Sequence, residues 1–392
     1  MAITFPDGFL WGTSTAAHQT EGGNWNNDWW AWEHAEGTAC VEPSGDAVDH
    51  FWRYPDDIGL LRDLGFGAYR FSLEWSRIEP EAGEYSRAAL DHYRRMLATC
   101  REHDVVPVVT FHHFTTPRWV AADGGWEDSR TAERFQRFCE RSTAAIGDLV
   151  GIGCTINEPN VVTLMGYVVG VFPPGRRGDL AAMSAANDTM LDAHARAVDA
   201  LKSGPGDFPV GLTVSMSDWS IPEGHEELLD RVRHSFEGLW LEAARNDDYL
   251  GVQAYSRTRL TEQGLPTGPE AGVETLQMGY EYWPQAVEVA TRRAAEIAAV
   301  PLIITESGIG TLDDDQRIRY TRDVLHGVRR CLDDGLDVRG YFYWSLMDNF
   351  EWALGYMPHF GLIAVDRETQ ECAVKPSGHW LGNIARTNRV DD

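Results

Sequence analysis

Short apolar runs alternate with amphipathic segments along the whole chain. Apolar side chains occupy successive positions in these runs, as is typical of parallel strands that are covered on both faces. The pattern predicts eight strands: Phe9–Thr13, Ala68–Leu73, Val105–Phe111, Gly151–Ile156, Val210–Val214, Leu250–Tyr255, Pro301–Thr305 and Gly340–Trp344.

The segments between the strands have helical periodicity. Apolar side chains recur at helical spacing in two of them, at Leu90, Tyr93, Leu97 and Cys100 and at Phe135, Phe138, Cys139, Ile146 and Leu149. Pro55 followed by Asp56 and Asp57 predicts the first turn of another helix, and Gly65 predicts its end.

Eight strands alternating with helices favour a closed parallel barrel over an open sheet. No linker, repeat or low-complexity tract divides the chain. The sequence therefore predicts an α/β fold with a single (β/α)8 TIM barrel, forming one catalytic domain over residues 1–392. In such a barrel the chemistry lies in the loops at the carboxyl ends of the strands.

Composition narrows the range of partners. The formal net charge of −26 disfavours nucleic acid and anionic lipid surfaces. No apolar run approaches the roughly 18 residues that span a bilayer, so no membrane partner is expected. Residues 1–7 place no basic residue ahead of an apolar run, so we expect a cytoplasmic location. The oligomeric state stays open.

The six cysteines are far apart in the chain and form no C-x-x-C pair. This spacing favours buried structural thiols over a disulfide framework or a metal cluster. We expect no metal and no cofactor.

Polar and aromatic residues follow nearly every predicted strand. Because the carboxyl ends of parallel strands meet at one face of a barrel, we expect these side chains to share a site. The candidate site residues are Gln19, Arg70, His113, Asn157, Glu158, Gln253, Tyr255, Glu306, Trp344, Glu351 and Trp352.

Two carboxyl groups in this set suit glycoside hydrolysis. Glu158 and Glu306 directly follow the fourth and seventh strands, and most glycosidases use two carboxyl groups that flank the scissile bond. A lone acid at a strand end is often only a helix cap or an ion-pair partner. Trp344 and Trp352 favour carbohydrate, because the C–H face of a sugar ring packs on indole.

Seven segments, in the same order along almost the whole chain, resemble the family 1 glycoside hydrolases, the β-glucosidase family. They are Phe9–Gly12, Gln19 with Glu21–Gly22, Tyr69–Ser72, Thr110–His113, Thr155–Pro159, Ile304–Gly308 and Tyr343–Trp352. The resemblance implies a retaining exo-β-glycosidase that acts on terminal β-D-glucosyl-type residues through a covalent glycosyl-enzyme intermediate. Its expected substrate is a small-molecule or oligosaccharide β-glycoside.

The resemblance also implies a role for each candidate. Glu158 matches the acid/base and Glu306 the nucleophile, which Arg70 and Tyr255 would keep ionised and oriented. The remaining matches would bind the sugar: Asn157 at the 2-hydroxyl, Gln19, His113, Glu351 and Trp352 at the other hydroxyls, and Trp344 as the floor.

Three positions depart from the family pattern. Ser307 stands where Asn is usual after the nucleophile, and Gln253 replaces an Asn near it. Asn160 stands where Trp often supports the leaving group. An amide there predicts a small-molecule glycoside substrate rather than a cello-oligosaccharide, unless Asn160 is a solvated loop residue without contacts.

Several alternatives remain at this point. The same intermediate could be transferred to an alcohol in a transglycosylase, or the chain could be a carbohydrate-binding protein with a decayed site. Glu351 and Pro358–Phe360 disfavour the phospho-β-glycosidase branch, and Glu158 excludes the myrosinase variant, which has Gln there. The choice among gluco-, galacto- and fuco-configured sugars is open.

Overall fold

A closed barrel of eight parallel strands forms the centre of the molecule in the computed structural model, which describes residues 2–391. Strand β8 pairs with β1 and β5 pairs with β6, so the ladder closes and the predicted (β/α)8 barrel is confirmed. Met1 and Asp392, the limits of the predicted domain, lie outside the described residues. Strands β1 to β8 are Leu10–Ser14, Ala68–Ser72, Val106–His112, Ile152–Asn157, Val210–Ser220, Tyr249–Leu260, Leu302–Ser307 and Val338–Trp344.

One main helix follows each strand. Helices α1 to α8 are His50–Leu64, Arg87–Glu102, Arg130–Ile146, Leu180–Ser203, Glu226–Arg233, Gln285–Ala298, Asp314–Asp333 and Pro376–Thr387. Further short helices are Ala17–Thr20, Asp28–Glu33, Trp75–Ile78, Arg118–Ala122, Pro159–Thr163 and Leu239–Ala243. Single 3₁₀ turns are Gly125–Glu127, Gly147–Leu149, Ala244–Asn246 and Trp352–Leu354, and π-helical segments are Leu164–Val169 and His234–Gly238. None of the helices in residues 2–391 is both long and apolar enough to cross a membrane.

Helix α2 confirms the periodicity read from the sequence. Tyr93, Leu97 and Cys100 are fully buried against the barrel. The Ser86 hydroxyl accepts a hydrogen bond from the Ala89 backbone N–H at 3.2 Å and caps the first turn. Burial of one apolar face therefore holds α2 in place.

The predicted start of α1 is wrong, whereas its predicted end is confirmed. The helix begins at His50, so Pro55 lies inside it and not in its first turn. His50 Nδ1 and Asp57 Oδ2 lie 2.6 Å apart, and this contact ties the turns on both sides of Pro55 together. Gly65 ends the helix with φ 110°, a left-handed conformation that costs glycine least.

Strands β5 and β6 are longer than predicted. Val214 and Tyr255 were the expected ends, but the strands continue to Ser220 and Leu260. Beyond the barrel rim the two strands pair with each other, with Trp219 opposite Thr258. The side chains of this extension are partly exposed, so it lacks the continuous apolar pattern of a buried strand.

The two ends of the described chain lie side by side. A two-residue strand, Ile3–Thr4, pairs antiparallel with Arg389–Val390. Asn388 strengthens this junction: its Nδ2 donates to the Phe5 carbonyl at 2.8 Å, and its Oδ1 accepts from Trp11 Nε1 at 2.9 Å. Two more short strands, Ile363–Val365 and Cys372–Val374, form a hairpin before α8, and Pro266–Thr267 pairs with the end of β6.

Candidate active site

A cavity of about 290 Å³ lies at the carboxyl ends of the barrel strands and contains most of the predicted site residues. The predicted residues that line it are Gln19, His113, Glu158, Tyr255, Glu306, Trp344, Glu351 and Trp352. Arg70, Asn157 and Gln253 lie behind this lining and are fully buried. Their hydrogen bonds determine how the lining groups are oriented.

Both carboxylate oxygens of Glu306 are hydrogen-bonded. Arg70 Nη1 donates to Oε1 at 2.5 Å, and the Tyr255 hydroxyl donates to Oε2 at 2.5 Å. Arg70 has no solvent exposure, so this ion pair is shielded from water. A carboxylate held from two sides has a fixed position and direction.

Asn157 is the centre of a second hydrogen-bond network. Its Oδ1 accepts from Arg70 Nη2 at 2.5 Å, Gln253 Nε2 at 2.9 Å and Thr213 Oγ1 at 3.0 Å. Three donors around the oxygen identify it as the acceptor and direct Nδ2 toward His113, whose Nε2 lies 3.2 Å away. Gln253, although longer than the usual Asn, therefore supports Asn157. The sequence did not reveal Thr213, because it is an ordinary residue inside β5.

Glu158 has a different environment. It precedes the helix Pro159–Thr163 in the left-handed region, with φ 42° and ψ 57°, and its side chain does not cap that helix. Within residues 2–391, Oε1 has no hydrogen-bond partner. The helix-cap alternative is therefore wrong for Glu158. Non-glycine residues in this conformation cost about 1–3 kcal/mol and concentrate at functional sites.

The surroundings act differently on the pKa values of the two carboxyl groups. Burial, and then the negative charge of Glu306, raise the pKa of Glu158 well above its usual value. Burial also raises the pKa of Glu306, but Arg70 and Tyr255 act in the opposite direction. The sequence predicts that Arg70 favours the ionised form of Glu306. Arg70 does lower the pKa of Glu306, but burial raises that pKa by more.

Gln19 and Glu351 are in contact in the lining of the cavity. Gln19 Nε2 donates to the Phe350 carbonyl at 2.7 Å and to Glu351 Oε2 at 3.3 Å. Burial, and then the charge of Glu306, raise the pKa of Glu351 to about 8. A protonated Glu351 can both donate and accept hydrogen bonds, as a sugar hydroxyl requires.

The His113 ring lies nearly parallel to two indoles. Its centroid is 6.0 Å from Trp344 and 6.1 Å from Trp352, with interplanar angles of 24° and 17°. Burial and the nearby Arg70 lower the pKa of His113 well below its usual value, so the imidazole is neutral. These rings present flat apolar faces and hydrogen-bonding edges to the same cavity.

Several lining residues were not predicted. Phe114 directly follows His113, so the strand-end rule would have found it. Met278 and Tyr280 come from the long loop after β6, which carries no motif. The others are Val161, Leu164, Met165, Phe172, Phe236 and Phe360.

The interpretation of Asn160 needs correction. Asn160 is only 2% exposed, so it is not a solvated loop residue. Its Nδ2 donates to the Ser215 carbonyl at 2.7 Å, and its Oδ1 accepts from the Ser215 N–H at 3.3 Å. The amide therefore joins the short helix Pro159–Thr163 to β5 and does not line the cavity of about 290 Å³. Ser307 is also buried and outside the lining.

The part of the chain that the structure describes contains no group of three or more His, Cys, Asp or Glu side chains that could hold a metal ion. The candidate chemistry consists of two carboxyl groups beside aromatic rings, one hydrogen-bonded on both oxygens and one with an oxygen that has no partner among residues 2–391. This combination of groups suits sugar binding and general acid/base catalysis.

Comparisons with known proteins agree with this chemistry. The model of Glycosyl hydrolase family 1 matches residues 1–283 and 242–390. Beta-glucosidase A of Thermotoga maritima is 32% identical, with 99% of each chain covered. A bifunctional beta-D-glucosidase/beta-D-fucosidase of Bifidobacterium breve is 32% identical over 97% of this chain and 98% of its own. The solved beta-glycosidase from Pyrococcus horikoshii is 33% identical with TM-score 0.93, covering 100% of this chain and 97% of its own.

Proposed function

The chain belongs to glycosyl hydrolase family 1 and is a retaining β-glycosidase, and we propose that Glu158 and Glu306 carry out its chemistry. The observation that supports the assignment is the difference between their environments. Glu306 accepts hydrogen bonds on both oxygens, whereas Glu158 is buried with one oxygen unpaired within residues 2–391. A nucleophile needs a fixed carboxylate, and an acid needs a proton to give.

In the first step, Glu306 attacks the anomeric carbon while Glu158 gives its proton to the glycosidic oxygen. The bond to the leaving group breaks and a glycosyl ester of Glu306 forms. In the second step, the Glu158 carboxylate takes a proton from water as the water oxygen attacks the same carbon, and the ester bond breaks to release Glu306 as a carboxylate. Two displacements at one carbon release the sugar with its β configuration retained.

We assign the sugar contacts to the remaining predicted residues. Asn157, oriented by three donors, would bind the 2-hydroxyl, a contact that strengthens as the transition state forms. Trp344 would form the floor of the glycone site. The other hydroxyls would be bound by Gln19, His113, Glu351 and Trp352.

The substrate is proposed to be a β-glycoside with a terminal glucosyl-type residue, cleaved from the end. A cavity of about 290 Å³ suits one sugar unit better than a chain of them. A small-molecule glycoside remains the proposed natural substrate, and residues 1–392 the proposed single catalytic domain. The cytoplasmic location stays a prediction that fractionation of the producing cells tests.

A fluorinated substrate tests the assignment of the nucleophile. A 2-deoxy-2-fluoro-β-glucoside with a dinitrophenolate leaving group slows both steps, because fluorine destabilises the positive charge of the transition state. The good leaving group still allows the first step, so the ester accumulates. Mass spectrometry of peptides should find the sugar on Glu306, and the Glu306→Gln variant should stay unlabelled. A label on another residue would overturn the assignment.

A separate assay with an added alcohol distinguishes hydrolysis from transfer. With an ordinary aryl glucoside and added methanol, a hydrolase releases mainly glucose at low alcohol concentration, whereas a transglycosylase releases mainly methyl glucoside. The glycone preference is measured by comparing kcat/KM for aryl glycosides with gluco-, galacto- and fuco-configured sugars.

A further inference from the structure

A second cavity, of about 360 Å³, lies beside the catalytic one. It lies among the two helical segments after β4, helix α4, the extension of β5, helix α5 and the hairpin after β6. Its apolar lining consists of Leu164, Val168, Met183, Trp219, Val232, Phe236, Leu260, Leu265 and Pro266. The rest of the lining is Asn160, Thr163, Arg231, Ser235 and Gly264. We call this cavity the apolar chamber.

Two side chains belong to the linings of both the apolar chamber and the catalytic cavity. Leu164 and Phe236 line both spaces, so they form the boundary between the two cavities. Leu164 belongs to the π-helical segment Leu164–Val169 and Phe236 to the segment His234–Gly238. They are the two π-helical segments of residues 2–391. Such segments are rare and are frequently found at functional sites.

One wall of the chamber is aromatic and rigid. Trp219 and Phe236 pack edge to face, with ring centroids 5.4 Å apart and an interplanar angle of 71°. Trp219 Nε1 donates to Glu237 Oε2 at 3.2 Å, and Arg293 Nε binds the other oxygen of Glu237 at 2.5 Å. The indole is therefore fixed through its polar atom, and its carbon surface is available for contact.

The chamber offers few partners to hydroxyl groups. Asn160 lies in its lining, but both of its amide atoms bond to the Ser215 backbone. Arg231 is the one charged residue of the lining. A second sugar unit would leave most of its hydroxyls without partners there, at a cost in affinity. Flat apolar rings, in contrast, gain from burial and from edge contacts with Trp219 and Phe236.

We propose that the apolar chamber binds an extended aromatic aglycone, a second ring beyond the one attached to the glycosidic oxygen. This inference rests on the proposed function, because the aglycone must leave the catalytic cavity on the side of Leu164 and Phe236. It places the substrate among aromatic β-glycosides with at least two rings.

Two aryl glucosides with closely similar leaving groups test the proposal. Phenyl β-glucoside reaches only the first cavity, whereas 4-phenylphenyl β-glucoside extends a second ring toward the chamber. Because the two phenols have nearly the same acidity, a difference in kcat/KM reports binding of the second ring. We expect a preference of about tenfold for the two-ring substrate in the native enzyme. Cellobiose should be a poorer substrate than either.

Leu265 provides the variant and Leu312 its matched control. Leu265 lines the chamber and is 64% exposed, so Leu265→Asp places a charge at the chamber without disturbing the core. Leu312 is 78% exposed and lines neither cavity. The preference for two rings should fall to about twofold in Leu265→Asp and persist in Leu312→Asp.

Three results would overturn the proposal. The first is equal kcat/KM for the two aryl glucosides in the native enzyme while both are hydrolysed, which leaves the proposed function intact. The second is a preference that survives Leu265→Asp. The third is a lower oligomer mass in light scattering of Leu265→Asp with unchanged kinetics, since the chamber would then be a contact between copies. Failure to hydrolyse any glucoside would instead contradict the proposed function.

Discussion

Arg70 and Glu306 form a fully buried ion pair between β2 and β7, two strands that are not neighbours in the barrel. A second guanidinium nitrogen of Arg70, Nη2, donates to Asn157 Oδ1 on β4. One side chain thus sets the position of the proposed nucleophile and of the proposed 2-hydroxyl ligand. Any change at Arg70 should therefore affect the acidity of Glu306, the affinity for the sugar and the stability of the folded protein together.

Replacing Arg70 with Met removes the charge and keeps an unbranched side chain. The pKa of Glu306 should rise further, because Arg70 is the largest influence that lowers it. The acidic limb of the pH profile of kcat/KM should therefore move to higher pH. Breaking a buried pair should also cost about 3–5 kcal/mol of unfolding free energy.

Arg94→Met is the matched control for that variant. Arg94 pairs with Asp148 on the surface, so its loss should cost less than about 1 kcal/mol and leave the pH profile unchanged. An acidic limb in Arg70→Met that coincides with that of the native enzyme would contradict the role given to Arg70.

Glu158→Gln should remove the basic limb of the pH profile. Burial and Glu306 raise the pKa of Glu158, so the proton it donates is lost at a higher pH than that of an ordinary glutamate. Without this acid, hydrolysis of unactivated alkyl glucosides should fall by about 10²–10⁴-fold. Aryl glucosides with very acidic phenols need little protonation and should lose much less in the first step. Equal losses for both substrate classes would argue against Glu158 as the acid.

Glu351 should make the protein less stable as pH rises. Its pKa in the folded protein is about 8, above the usual value of 4.5. The folded state therefore binds this proton more tightly, and its contribution to stability declines between about pH 4.5 and 8. The free energy of unfolding of Glu351→Gln should equal that of the native protein near pH 4.5 and exceed it by up to about 3 kcal/mol at pH 7.

Urea unfolding at several pH values measures this difference. Glu262→Gln changes an exposed carboxyl group on the surface and should follow the native curve. If the free energy of unfolding changed with pH in the same way for Glu351→Gln and the native protein, Glu351 would be ionised in the folded state at neutral pH.

Asn160→Trp should destabilise the protein rather than create a platform for cellobiose. The substitution removes two hydrogen bonds to Ser215 and places an indole where a buried amide fits. We expect a loss of about 1–3 kcal/mol in unfolding free energy. Asn383→Ala, at an exposed position of α8, should stay within about 0.5 kcal/mol. A stable Asn160→Trp enzyme with improved cellobiose hydrolysis would restore the interpretation made from the sequence.

The sequence was informative where local pattern determines structure. The barrel strands were found because strands buried on both faces have apolar residues at successive positions. Glu158 and Glu306 were found because they lie at the carboxyl ends of such strands, Glu158 directly after β4 and Glu306 as the last but one residue of β7. Both signals lie within a few residues and need no knowledge of the fold.

The sequence was less informative where partners are distant. The burial of Asn160 and its two hydrogen bonds could not be foreseen, because Ser215, to which it bonds, lies on the next strand of the barrel. The extensions of β5 and β6 were missed because they stabilise each other outside the barrel, where side chains are partly exposed. Tyr280 reaches the cavity from a loop whose course depends on the whole fold.

The pairing of Ile3–Thr4 with Arg389–Val390 has a practical consequence. This junction precedes β1 and follows α8, so it lies at the amino-terminal face of the barrel, opposite the catalytic mouth. An affinity tag, a fusion partner or a solid support attached at either end would therefore leave the substrate entrance open. Enzyme immobilised on a support in this orientation should retain the KM of the free enzyme for small aryl glucosides.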